Sequence, residues 1–119
     1  MGHKLLLIGG TGLLGSEVFF CAKDKFDVIL ASETKDSNYL TEEITSKNWR
    51  YCDITKPDTI EKMLDEEDFD YIVLLAAKIA TLSGSVVDSN SELFRVNFKG
   101  NMDALRLISR NPGQKFIFI

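Results

Sequence analysis

Histidine occurs once in this 119-residue sequence, at position 3, and cysteine twice, at positions 21 and 52. So few ligating side chains, in no metal-ligand spacing, exclude a zinc site and a cysteine–histidine nucleophile. Cys21 and Cys52 are expected to be small buried thiols in a reducing compartment. His3, within the tag-like start "MGHK", is given no role. Long apolar runs are also missing. None approaches the ~20 residues that span a bilayer, and the start lacks the apolar segment of a secretory signal. Positive charge is in the minority: 14 Lys and Arg stand against 18 Asp and Glu, for a net charge of −4. That balance argues against a nucleic-acid or anionic-membrane surface. With no repeat, linker or low-complexity stretch, residues 1–119 are expected to form one cytoplasmic globular domain, and domains near this size bury about two-thirds of their unfolded surface.

Glycine, by contrast, is concentrated. Of eight glycines, four fall at positions 9, 10, 12 and 15. They follow "KLLLI" (4–8), a short apolar run that reads as a strand buried on both faces. Residues 13–23 read as a helix, with Leu14, Val18 and Ala22 recurring every four residues. Strands are expected at 27–31 ("DVILA"), 49–54 ("WRYCDI"), 71–77 ("YIVLLAA") and 115–119 ("KFIFI"). The polar stretch 32–48 reads as loop with at most a helical turn. Pro57 suits the first turn of a helix ending near Asp65, with Thr55 as its cap. A long helix spans 91–109 and is stopped by "NPG". Alternating strands and helices predict an α/β fold, a doubly wound parallel sheet of order 3-2-1-4-5.

Ligands bind such sheets beyond the carboxyl ends of the strands, where the strand order reverses. Strand 1 lies there. Gly10, Gly12 and Gly15 satisfy G-x-G-x-x-G, and Gly9, Gly12 and Gly15 satisfy G-x-x-G-x-x-G. Gly9 makes the tight turn, Gly12 lets backbone approach a pyrophosphate, and Gly15 lets the helix pack close to the sheet. The helix start at Leu13 and Leu14 supplies N–H groups and partial positive charge, and Thr11 adds a hydroxyl. The competing reading is a plain strand–helix turn, which needs one or two glycines rather than four.

The second glycine register resembles that of the extended short-chain dehydrogenase/reductases, the NAD-dependent epimerase/dehydratase group with a Rossmann-like fold. "YCDITKPDTIEKML", "YIVLLAA" and "FRVNFKGNMDALRLI" follow in that family's order, with Leu75 where histidine is frequent. The resemblance implies that Asp53 accepts a hydrogen bond from the adenine amino group with Ile54 beside the ring, unless Asp53 serves only as a helix cap. It implies that Leu75, Ala76 and Ala77 line the cofactor. Lys78 either meets phosphate or substrate or is simply solvated. Thr81 and Ser83 fall where relatives touch substrate. Asn97 is expected on the sheet-facing stripe with Leu93, Gly100, Ala104 and Ile108. There it either supports the active site or makes a structural hydrogen bond.

The family's Tyr-x-x-x-Lys pair is absent: Tyr39, Tyr51 and Tyr71 have no lysine four residues on. The expectation is therefore an incomplete sheet at the carboxyl end. The chain would be the NAD(P)-binding part of an epimerase, dehydratase or dehydrogenase acting on a nucleotide sugar or small hydroxy acid. The alternative is a non-catalytic dinucleotide-binding or redox-sensing module. Counting on from strand 2 puts Ser32 where the ribose-reading Asp usually stands, with Glu33 beside it. NAD is therefore favoured over NADP, with Lys35 as the counterargument. A second apolar stripe, Phe94, Phe98, Met102 and Leu105, predicts a homodimer through helix 91–109.

Overall fold

The structure, a computed structural model, describes residues 3–75, 95–109 and 115–118. Its strands are β1 (Lys4–Ile8), β2 (Asp27–Ser32), β3 (Trp49–Tyr51), β4 (Tyr71–Leu74) and β5 (Lys115–Phe118). Its helices are α1 (Leu13–Ala22), α2 (Glu42–Asn48), α3 (Pro57–Glu66) and α4 (Asn101–Ile108), the last entered through a π-helical turn at Arg95–Gly100. All four strand pairings are parallel, in the order β3-β2-β1-β4-β5. This is the doubly wound order the alternation predicts.

Strand side chains alternate between faces, and here both faces are covered. Leu5, Leu7, Val28, Leu30 and Val73 form a core with Phe19 and Leu40, and Ile44 of α2 packs against it. On the other face, Leu6, Ile8, Ile29, Ala31, Ile72 and Leu74 pack with Ile60, Met63 and Leu64 of α3 and Ala104, Leu107 and Ile108 of α4. Two-sided burial is why β1 and β2 are unbroken apolar runs. At the opposite end of the sheet from the glycines, Glu67 follows α3 and accepts from Lys4 Nζ at 2.7 Å and Arg50 Nε at 3.0 Å. The loop is further pinned by Lys4 N donating to Asp70 Oδ2 at 2.8 Å.

Several local expectations need correction. The stretch 32–48 holds more than a helical turn: it ends in a seven-residue helix, α2, whose cap Thr41 accepts from Ile44 N. Glu42 and Glu43 suit its first turn, and burial of Leu40 with Ile44 holds it down. β3 stops at Tyr51 rather than Ile54, because the Asp53 carboxylate accepts from Thr55 N and Thr55 Oγ1 and turns the chain. Thr55 is spent on that turn, so Lys56 holds the cap position of α3 without a side-chain cap bond. Leu14 does not face the core: Gly15, Ser16 and Phe19 are the buried residues of α1. β4 ends at Leu74, although Leu75 N still donates to Ile8 O. Of the two thiols only Cys52 is buried, and Cys21 lies on the solvent side of α1.

The largest correction is in the last helix. The π turn carries an extra residue and rotates the stripe. Asn97 is exposed, and the buried amide is Asn101, whose Nδ2 donates to Asn97 O at 3.2 Å. Gly100, Ala104 and Ile108 are buried as expected, while Leu93 and Phe94 lie outside the described residues.

Candidate nucleotide-binding site

The four glycines do different work. Gly9 has φ 88°, in the left-handed region that favours glycine. Its N–H donates to Ala31 O at 2.7 Å, which clamps the turn against β2. A Cβ on Gly10 would stand 2.7 Å from Leu30 Cδ2 and 2.9 Å from Leu7 O. A Cβ on Gly15 would stand 2.5 Å from Gly10 Cα, so α1 rests directly on the turn's backbone. The protein's own packing thus demands glycine at 9, 10 and 15.

Gly12 is another matter. Its φ of −82° and ψ of −174° suit any residue, and among the described residues its Cβ would meet only Gly9 O, at 3.8 Å. It occupies the N-cap of α1, where Ser, Thr, Asp or Asn would stabilise the helix. Glycine provides no cap, and the first turn holds no acidic residue. What results is a helix start with N–H groups facing an open surface, a place suited to an anion. Leu13 and Leu14 flank it, both exposed.

Beside this loop lies the end of β2. Ser32 and Trp49 share a face, because Trp49 pairs with Leu30, two residues before Ser32. Trp49 Nε1 donates to Ser32 Oγ at 2.9 Å, and Ser32 Oγ donates to Thr34 O at 2.5 Å. Lys35 Nζ sits 5.3 Å from the centroid of the Trp49 ring, within cation–π range. Glu33 is exposed. Ser37 Oγ donates to Thr11 O at 2.8 Å and accepts from Tyr39 N and Leu40 N, tying the glycine loop to the loop after β2. Neither Trp49 nor Ser37 stands out in the sequence. The register of β3 against β2, set only when the strands pair, brings Trp49 to Ser32, and nothing local marks Ser37.

The remaining expected residues divide. Asp53, with its side chain 13% exposed, is held by Thr55 and lies 4.0 Å from Lys56 Nζ. Ile54 is buried in the α3-side core. Leu75 is partly buried against the α1-side core, beyond the end of β4. Ala76, Ala77, Lys78, Thr81 and Ser83 lie outside the described residues. Cys52, beneath Asp53, has its thiol pushed up to about 12, chiefly by burial; a hydrogen bond with Thr59 opposes this and the Asp53 charge adds to it. It is no nucleophile at neutral pH. No group of three metal-ligating side chains occurs among the described residues. No described helix is long and apolar enough to cross a membrane.

The description of the NAD dependent epimerase/dehydratase family matches residues 5–119. No curated protein sequence matches the chain. Among solved structures it resembles a UDP-glucose 4-epimerase with a TM-score of 0.77 at 18% identity, over 97% of this chain and 34% of that one. A UDP-glucose 4-epimerase from Bifidobacterium longum, solved with NAD+ and UDP, gives 0.74 at 20%, over 97% and 36%. A monomeric L-threonine 3-dehydrogenase from a metagenome gives 0.71 at 24%, over 94% and 34%. The chain spans about a third of the length of these proteins. The glycine turn, the parallel strand order and the family match over nearly all of the sequence agree, and the chain belongs to the NAD-dependent epimerase/dehydratase family.

Proposed function

We propose that this chain is the dinucleotide-binding part of an epimerase, dehydratase or dehydrogenase of that family, acting in the cytoplasm on a nucleotide sugar or small hydroxy acid. The observation that carries the reading is Gly12. Packing among the described residues does not require glycine there, whereas a pyrophosphate seated on the α1 start does. Gly9, Gly10, Thr11, Gly12, Leu13, Leu14 and Gly15 would hold the phosphates. Asp53 and Ile54 would meet the adenine. Leu75, Ala76, Ala77 and Lys78 would border the cofactor, with Thr81 and Ser83 toward substrate and Asn97 in support. A bound nicotinamide would supply a hydride acceptor, and this chain's residues would bind and orient it.

NAD is favoured over NADP. Glu33 follows Ser32, and a carboxylate within ~6 Å of a 2′-phosphate opposes it by a few kcal/mol near a protein surface before screening. Lys35, the cation that would answer this, is placed over Trp49 instead. The exposed Phe98 and Met102 support the homodimer reading.

The alternative is a non-catalytic dinucleotide-binding or redox-sensing module, which would hold the dinucleotide on the same glycine turn. Titration calorimetry with NAD, together with a hydride-transfer assay, tests the proposal. Binding without turnover by this chain is expected, and a Gly12→Val change should remove the binding. NAD affinity that survives Gly12→Val overturns the cradle. Turnover by the unmodified chain overturns its assignment as a binding part only.

A further inference from the structure

Ser32 has one hydroxyl proton and two lone pairs. The Thr34 carbonyl can only accept, so the contact at 2.5 Å takes the proton. The Trp49 indole N–H can only donate, so the contact at 2.9 Å takes one lone pair. One lone pair is left, and the oxygen has become an acceptor only. A carboxylate, the usual occupant of this position, is also an acceptor only. A ribose 2′-hydroxyl donates to such a group. A 2′-phosphate at neutral pH offers oxygens that are mainly acceptors, and two acceptors facing each other repel.

We propose that Trp49 is a specificity-determining residue: with the Thr34 carbonyl, its indole N–H fixes Ser32 as an acceptor that takes the ribose 2′-hydroxyl of NAD and refuses the 2′-phosphate of NADP. The proposal rests on the dinucleotide reading above and names the group that discriminates within that site. It explains how serine serves where an acidic residue is usual. The same ring holds the Lys35 ammonium 5.3 Å from its centroid, so the cation's effect has to be separated from that of the indole N–H.

The test measures dissociation constants of this chain for NAD and NADP by calorimetry. In the unmodified chain NAD binds more tightly. In Trp49→Phe the Ser32 side chain loses the donor that holds its oxygen beside the Thr34 carbonyl and can turn its proton toward a phosphate oxygen, and the preference for NAD should fall about fivefold, the worth of one neutral hydrogen bond. In a Ser32→Asp background, where the acceptor no longer depends on the indole, Trp49→Phe should leave the preference unchanged. Repeating the pair in a Lys35→Met background removes the cation, and the loss of preference should persist. Three results overturn the proposal: a Trp49→Phe change that weakens both dinucleotides equally, a loss of preference that vanishes with Lys35, or tighter binding of NADP by the unmodified chain. Because Trp49 is the only tryptophan, its single indole N–H resonance gives a readout without any ligand. Ser32→Ala should move that resonance upfield, and an unmoved resonance overturns the pinned hydroxyl even if both dinucleotides bind. If neither binds although the resonance moves, the dinucleotide reading has failed, and the specificity role fails with it.

Discussion

Gly12 and Gly15 stand three residues apart in one loop and answer to different demands. A methyl on Gly15 collides with Gly10 backbone at 2.5 Å, and backbone cannot step aside as a flexible side chain can. Gly15→Ala should therefore destabilise the fold by about 1–3 kcal/mol or more, the cost of overpacking, visible as a lowered thermal midpoint. Gly12→Val places its side chain in open space and should keep the helical circular dichroism while dinucleotide binding is lost. The two thiols divide in the same way. Cys21 is exposed, while burial lifts the Cys52 thiol to about 12. Alkylation of the folded chain at pH 8, read by mass spectrometry, should modify one cysteine, and both only after unfolding.

At the scale of elements, α3 and the loop that follows it are fastened to the sheet by charge as well as by their apolar stripe. Burial raises the Glu67 carboxyl, but the hydrogen bonds from Lys4 and Arg50 outweigh it, and the net displacement is downward. A carboxyl lowered by folding adds stability that is fully present above its ordinary value of 4.5 and is lost as pH falls through the folded value. Glu67→Gln should lower the urea midpoint at pH 7, and the gap to the unmodified chain should close as the pH falls below 4.5. The elements also show how local signals mislead. α2 lies in a polar stretch, and Ile44 with the preceding Leu40 docks it, beside a buried Thr45. In the last helix, one π turn takes Asn97 off the buried stripe, while Asn101 lies in step with Ala104 and Ile108 and is buried with them.

For the whole molecule, the central strand is β1, covered on both faces, and its carboxyl end opens at the point where the strand order reverses. One side of α4 packs on the sheet through Ala104, Leu107 and Ile108; on another, Phe98 is 57% exposed and Met102 52%. Apolar area of that kind favours association. Sedimentation velocity over a range of concentrations should show dimer formation. Phe98→Glu with Met102→Lys should shift the chain to monomer without lowering its thermal midpoint. A monodisperse monomer at high concentration removes the homodimer reading.

The sequence by itself determined the strand order, because alternating apolar runs and amphipathic segments with right-handed crossovers leave few ways to wind a sheet. It also determined the glycine turn, because φ and backbone approach are local demands that one residue type meets. The tertiary structure alone decided the rest. Which glycine answers to packing and which to open space depends on what lies across from each Cβ. The pinned state of the Ser32 hydroxyl depends on Trp49, 17 positions away along the chain, brought close by the register of two parallel strands. The displacement of Asn97 from the buried stripe depends on one extra residue in a helical turn. Periodicity reads an element's regular part, whereas register, bulges and cross-strand partners arise only once the elements meet.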